Sequence, residues 1–245
     1  MTLLNSDISN FSNSLRKITK NHPLWNHSFL ERCGTNKLSI EEVKILAVQM
    51  YNFCKSFNRI LAGILSCCPD ESAQLVILEN LYDEMGEGDL EQSHPELFRR
   101  FTRALGIDDD SLAAQIVTPE THKLINTYLE IPLKYGYLAA LGAVCYASEG
   151  IVSYLYSQLY QGIIDAASLP KDSLKFFELH IDIDNVHAAN LERVIQCKPL
   201  TPEEENNIKQ AITEVMDIRL QFFDGIERQM SQSKSSDNTL LLVNA

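Results

Sequence analysis

The chain has 245 residues, 45% of them hydrophobic and 22% charged, with only 10 Gly and 8 Pro; so apolar a composition can bury a core that offsets its ordering entropy, which excludes disorder, collagen-like repeats and low-complexity scaffolding. Its 33 Asp and Glu outnumber 21 Lys and Arg, for a formal charge of −12, so there is no basic footprint for nucleic acid and no attraction to anionic membrane surfaces. The expected organisation is one domain over residues 1–231 followed by a disordered tail at 232–245.

The first residues, Met1 to Asp7, carry neither the basic n-region nor the apolar h-region of a secretory signal, which predicts a cytoplasmic protein. The six Cys, at 33, 54, 67, 68, 145 and 197, form no CxxC pair and read as reduced thiols. In chain order, helical periodicity first covers Ser6 to Thr19. A second helix is expected from His22-Pro23 to a stop at Gly34, and Ser39 with Glu42 forms a capping box that opens a long helix to about Cys67. Pro69-Asp70 breaks the chain before a helix from Glu71 to about Met85; a polar loop from Gly86 to Ser93 leads to another from about Pro95 to Leu105, stopped by Gly106. Thr118-Pro119 caps the next, and an apolar helix is expected to start near Leu133, after Pro132. From Tyr135 to Ile164 the only charge is Glu149; the Tyr, Ser and Gln scattered through this run mark it as a buried core helix and not a bilayer span. One helix is expected from Ser173 to Gln196, and a last one, capped by Thr201, to about Met230. No period-2 alternation and no fixed repeat occurs, so the fold class is all-α: a single-domain bundle of about seven helices.

Three features carry candidate chemistry. In His180-Ile-Asp-Ile-Asp184-Asn-Val-His187, a turn of ~100° per residue puts Asp184 ~40° to one side of His180 and His187 ~20° to the other. Two imidazoles and a carboxylate on one stripe are a facial donor set suited to iron or manganese with open positions, or to zinc. Glu149, alone in the most apolar helix, needs an Arg such as Arg59, a hydrogen-bond network or a metal, because a buried unpaired carboxylate costs several kcal/mol. Glu84 closes one helix and His94 opens the next, with a Gly-containing loop between them able to turn both inward. Together Glu84, His94, Glu149, His180, Asp184 and His187 supply three carboxylates and three imidazoles, enough for two ions, although the Glu-x-x-His pairs of ferritin-like bundles are absent.

These residues, with Asn80-Leu-x-Asp-Glu84-x-Gly and His94-x-x-Leu-Phe, resemble the haem-oxygenase-like diiron oxidase and oxygenase family, within the wider fold of the TenA-type thiaminases and the PQQ-synthesis oxidase. The resemblance spans residues 20 to 225, and all six of the family's ligand positions are filled. It implies two Fe ions, held by the six residues as Fe(II) before O2 reacts, with an Mn/Fe pair equally accommodated by such ligands. It further implies oxidation of a small substrate such as an amino acid or fatty acid, and an electron donor that restores Fe(II). A homodimer is compatible with this fold, though no stripe in the sequence marks an interface.

The loop Met85-Gly-Glu-Gly-Asp is similar to that of members that N-oxygenate or fragment amino-acid-like substrates. Some of those members draw a further carboxylate from the preceding core helix, where this chain has Asn58 and Arg59 and no acid, which argues against N-oxygenation. Another branch consumes its own Tyr and Lys to make para-aminobenzoate; this chain has Leu30 and Leu159 at those positions. Tyr82, Tyr146 and Tyr154 lie near ligand positions in sequence but are expected to be core. Arg59 and Lys134 are candidates to hold a substrate carboxylate, and Cys145 sits where TenA-type hydrolases keep a nucleophile. A cofactorless oxidase or TenA-like hydrolase, and a non-enzymatic interaction protein, are the competing readings.

Overall fold

The computed structural model describes residues 2–35, 38–182 and 186–243. Helix α1 (Thr2–Lys20) is followed by a 3-10 turn (Pro23–Asn26) and α2 (Ser28–Cys33) where one helix was expected. Two histidines account for the division. His22 Nδ1 accepts the Leu24 N–H and His27 Nδ1 accepts the Phe29 N–H, both at 3.1 Å, so each ring caps a new turn. Their Nε2 atoms reach Asp217 and Asp224, at 3.1 and 3.2 Å. Helix α3 (Ile40–Cys67) opens with the expected capping box: the Glu42 N–H donates to Ser39 Oγ at 3.3 Å, and the Glu42 carboxylate accepts the Ser39 N–H at 2.8 Å. Helix α4 (Glu71–Glu84) is capped by Asp70, and α5 (His94–Ala104) follows the polar loop. A short α6 (Asp109–Ala114), not anticipated, is nucleated by Asp108 accepting the Ser111 N–H and buries Leu112 beside Val48 and Ile107.

Pro132 does not break the chain. It lies inside α7 (Pro119–Tyr135), and the break comes at Gly136, before α8 (Tyr137–Val144). A π-turn (Cys145–Glu149) joins α8 to α9 (Gly150–Ala166). The run Tyr137–Ala166 is long and apolar enough to cross a bilayer, yet 67% of its most apolar window is buried within the bundle. Over the expected Ser173–Gln196 helix the described residues form a 3-10 turn (Lys171–Leu174), α10 (Lys175–Asp182) and α11 (Val186–Gln196), and 183–185 lie outside them. Helix α12 (Pro202–Val243) starts at the Thr201 cap and runs past the expected end near Met230, which is its last core residue among those whose burial is described; Ser231 to Lys234 are exposed. The described residues hold twelve α-helical segments against the expected seven or so, with the short α2 and α6 and the π-turn that divides α8 from α9 adding to the number.

Helices α3, α7, α8 and α12 pack around one interior, α4 and α5 flank α3, and α9, α10 and α11 close the remaining side. Gln49, fully buried on α3, accepts the Thr118 N–H at 3.0 Å and the Thr121 hydroxyl at 2.7 Å, and donates to Ile116 O and Gln229 Oε1. The end of α4, the start of α5, the π-turn, α10 and α11 all meet at one place.

Candidate metal centre

Glu84 is the last residue of α4 and His94 the first of α5, so the loop between them decides whether their side chains meet. Gly86, at φ +76°, makes the turn; a Cβ there would lie 2.3 Å from Asp89 O and 2.5 Å from Ser93 N, so only glycine closes the loop. The Tyr82 hydroxyl clasps the same loop by donating to Glu87 O at 2.5 Å. The result sets His94 Nδ1 2.8 Å from Glu84 Oε2. The angle is not that of a hydrogen bond, and the buried Nδ1 has no hydrogen-bond partner.

His180, from α10, stacks edge-on to His94 with ring centroids 4.7 Å apart. Its Nδ1 lies 2.7 Å from Phe176 O, and because a carbonyl only accepts, the proton is on Nδ1 and the lone pair on Nε2. One ligand atom each from Glu84, His94 and His180 lies within 4.8 Å of the other two. Glu149 enters from the π-turn, buried, with Asn80 Nδ2 donating to its Oε1 at 3.3 Å. His187, from α11, lines the same cavity and has Nε2 3.3 Å from Asp83 Oδ2. Five of the six expected residues therefore converge, and Asp184 lies outside the described residues. Asp83 was missed because neighbouring helical residues diverge by ~100°, so a DE pair is expected to turn only one carboxylate inward.

The electrostatics are those of a site built around positive charge. Burial, reinforced by the charge of Glu84, pushes the Glu149 carboxyl up to about 8. Burial alone would also raise Glu84, but the His94 ring beside it overcomes that effect and holds its carboxyl below the usual range. Burial and the neighbouring His94 depress His180 to about 4, which keeps it neutral with a free lone pair. The buried Glu84 carboxylate, the neutral His180 imidazole and the orphaned His94 Nδ1 around a cavity of about 30 Å³ fit a small divalent cation, with the Glu149 carboxyl lining the same cavity.

An adjoining hollow of similar size is walled by Phe53, Phe57, Val152, Tyr156 and Phe176. Tyr156, which sequence reasoning passed over, is buried with its ring 5.4 Å from that of His180. Of the tyrosines expected to be core, Tyr146 is buried in it, whereas Tyr82 and Tyr154 are exposed. Tyr146 and Tyr154 line a separate cavity. Arg59 is exposed and does not pair with Glu149, whose partner is Asn80. Lys134 pairs with Glu214, away from the centre. Asn58 donates to Met85 Sδ, and none of the α3 residues lining either hollow is an acid. Burial pushes the Cys145 thiol far up while its Sγ donates to Ala188 O at 3.2 Å, so it is no nucleophile.

Residues 44–221 match a protein family described as iron-containing redox enzyme. The 4-aminobenzoate synthase of Nitrosomonas europaea is 27% identical over 226 residues, covering 88% of this chain and 90% of the relative. Among solved structures, a CADD-like protein of unknown function from Nostoc punctiforme superposes with a TM-score of 0.75 at 18% identity, covering 93% of this chain and 97% of that one. A domain with a heme oxygenase-like fold from Shewanella denitrificans gives 0.69 at 17% identity, over 96% and 94% of the two chains. The fold is thus haem-oxygenase-like, as the sequence resemblance implies.

Proposed function

The chain belongs to the family of iron-containing redox enzymes, and on that premise we propose that it is a non-haem dinuclear iron oxygenase or oxidase acting on a small amino acid or amino-acid derivative. The observation that carries this reading is the convergence of Glu84, His94 and His180 within 4.8 Å beside buried Glu149. Those four, with His187 and Asp184, are the proposed ligands. Iron held there would supply the electrons that activate O2, with an external donor restoring Fe(II).

The protein's own part is to position and to exclude. Phe176 O fixes the His180 tautomer, Asn80 orients Glu149, and the walls of Phe53, Phe57 and Phe176 keep bulk water from the reacting centre. The product in the relative's name, 4-aminobenzoate, is itself an amino-bearing carboxylic acid, which supports that substrate class. Self-consumption is not supported: Leu30 and Leu159 are buried aliphatic core, with neither a phenol nor an amine to give. All six Cys are free, in keeping with a cytoplasmic setting.

The test is anaerobic loading with Fe(II), metal quantification, and rapid mixing with O2 while following visible absorption. About two irons per chain and a transient band that decays faster with an amino acid candidate are expected. In His187→Ala, iron loading and O2 consumption should both be lost. A wild-type protein that binds no iron, or O2 consumption that survives metal stripping, would sink the proposal and favour the cofactorless reading.

A further inference from the structure

A cavity much larger than the one at the metal centre lies elsewhere in the described residues. It measures about 710 Å³ and lies between α1, the π-turn with the start of α9, and α11, a volume typical of a small-molecule site. The π-turn separates it from the centre: Glu149 faces the centre, while its neighbours Cys145, Tyr146 and Gly150 line this second cavity. One wall is aromatic, with Trp25 packed edge-on against Tyr154 at 5.0 Å and 71°. Small residues, Gly150, Ala188 and Ala189, also line it and leave room beside the aromatic pair for a flat body.

The charges select the ligand further. The one acid lining the cavity, Glu192, is already held by the Tyr146 hydroxyl at 2.9 Å, by Gln196 Nε2 at 3.1 Å and by Arg16. Arg16 also lies 6.0 Å from the centroid of the Tyr146 ring. One turn further along α1, exposed Lys20 has no carboxylate within ion-pair distance among the described residues, in a chain whose net charge is −12. The lining therefore carries one uncompensated positive charge beside aromatic walls. We propose that this cavity is a binding site for a small aryl carboxylate, with Lys20 holding the carboxylate and the ring lying against Trp25 and Tyr154.

Trp25 is the only tryptophan in the chain, so its fluorescence reports on this cavity alone. Metal-free full-length protein is titrated with benzoate, with benzamide as the neutral isostere and hexanoate as the non-aromatic anion. Expected are a saturable change with benzoate, binding at least about tenfold weaker for both controls, and a tenfold loss for benzoate but not benzamide in Lys20→Met. Ala189→Leu, which pushes a larger side chain into the cavity beside the aromatic pair, should weaken the response to benzoate. Lys20 is exposed, so its variant stays folded and interpretable even if the Ala189 variant does not. No saturable response to benzoate, equal affinity for benzamide or hexanoate, or indifference to Lys20→Met would overturn the proposal. Because no iron is used, the outcome is independent of the metal centre.

Discussion

Gln49 illustrates how much one buried side chain can hold. Its amide joins α3 to the start of α7 and to α12, and all its partners are at least 67 positions away in the chain. Gln49→Leu keeps the volume but strands the buried Thr118 N–H and loses the Thr121 hydroxyl's acceptor. The expected cost is about 2–4 kcal/mol, read as a lower urea midpoint at unchanged slope. Glu42 belongs to the opposite class, a partner set that is mostly local. Burial would raise its carboxyl, but the Ser39 N–H, Arg32 and Lys234 together hold it at about 2. A carboxylate whose folded value lies below its unfolded 4.5 adds stability above that pH and loses it as pH falls toward 2. Glu42→Gln should therefore cost about 1–2 kcal/mol at pH 7, a difference that shrinks to nothing between pH 4.5 and 2 in pH-dependent denaturation. The Ser39–Glu42 box was readable because its reciprocity spans three residues. Gln49 was not, because no local spacing encodes partners so remote.

At the scale of elements, the caps at Ser39, Thr118 and Thr201 were legible for the same local reason, and the helices they open start where they were expected. Pro132 misled because proline's missing N–H and ring clash usually end a helix, whereas here the helix runs through it to Gly136. The π-turn left no compositional trace at all, since adding one residue to a helical turn changes neither polarity nor periodicity enough to notice. Yet that turn is what presents Glu149 to the centre and Tyr146 to the second cavity. Gly150 is its requirement: a Cβ there would come within 2.7 Å of Cys145 O. Gly150→Ala should force the turn toward ordinary α geometry, lower stability by about 1–3 kcal/mol and reduce iron bound per chain. Gly63→Ala is the matched control. A Cβ on that α3 glycine meets nothing within 4 Å, so the variant should be as stable as the parent or gain about 0.5–1 kcal/mol, with iron content unchanged.

For the whole molecule, the question is why a bundle with so continuous an apolar core keeps carboxylates inside it. Glu84 and Glu149 are both buried, and each makes the other's charge more costly. Glu84 has the His94 ring to offset that cost, but Glu149, without a cation, must take up a proton to stay buried at neutral pH, which costs the fold stability. Glu149→Gln keeps an oxygen for Asn80 to donate to and removes the group that must be protonated on folding, so at pH 7 the metal-free variant should be more stable than metal-free wild type by about 1–3 kcal/mol. Anaerobic Fe(II) should reverse the order. At a free concentration near 100 times the dissociation constant, a ligand that binds only the folded state adds about 2.7 kcal/mol, worth several degrees in Tm for a chain of this size. Wild type should gain that increment and Glu149→Gln much less. Thermal melts of both proteins with and without Fe(II) decide the point: a crossing of the two orders is the signature of residues retained for a metal at the expense of the fold. A variant already less stable without metal, or equal gains in both, would mean that Glu149 serves the core alone.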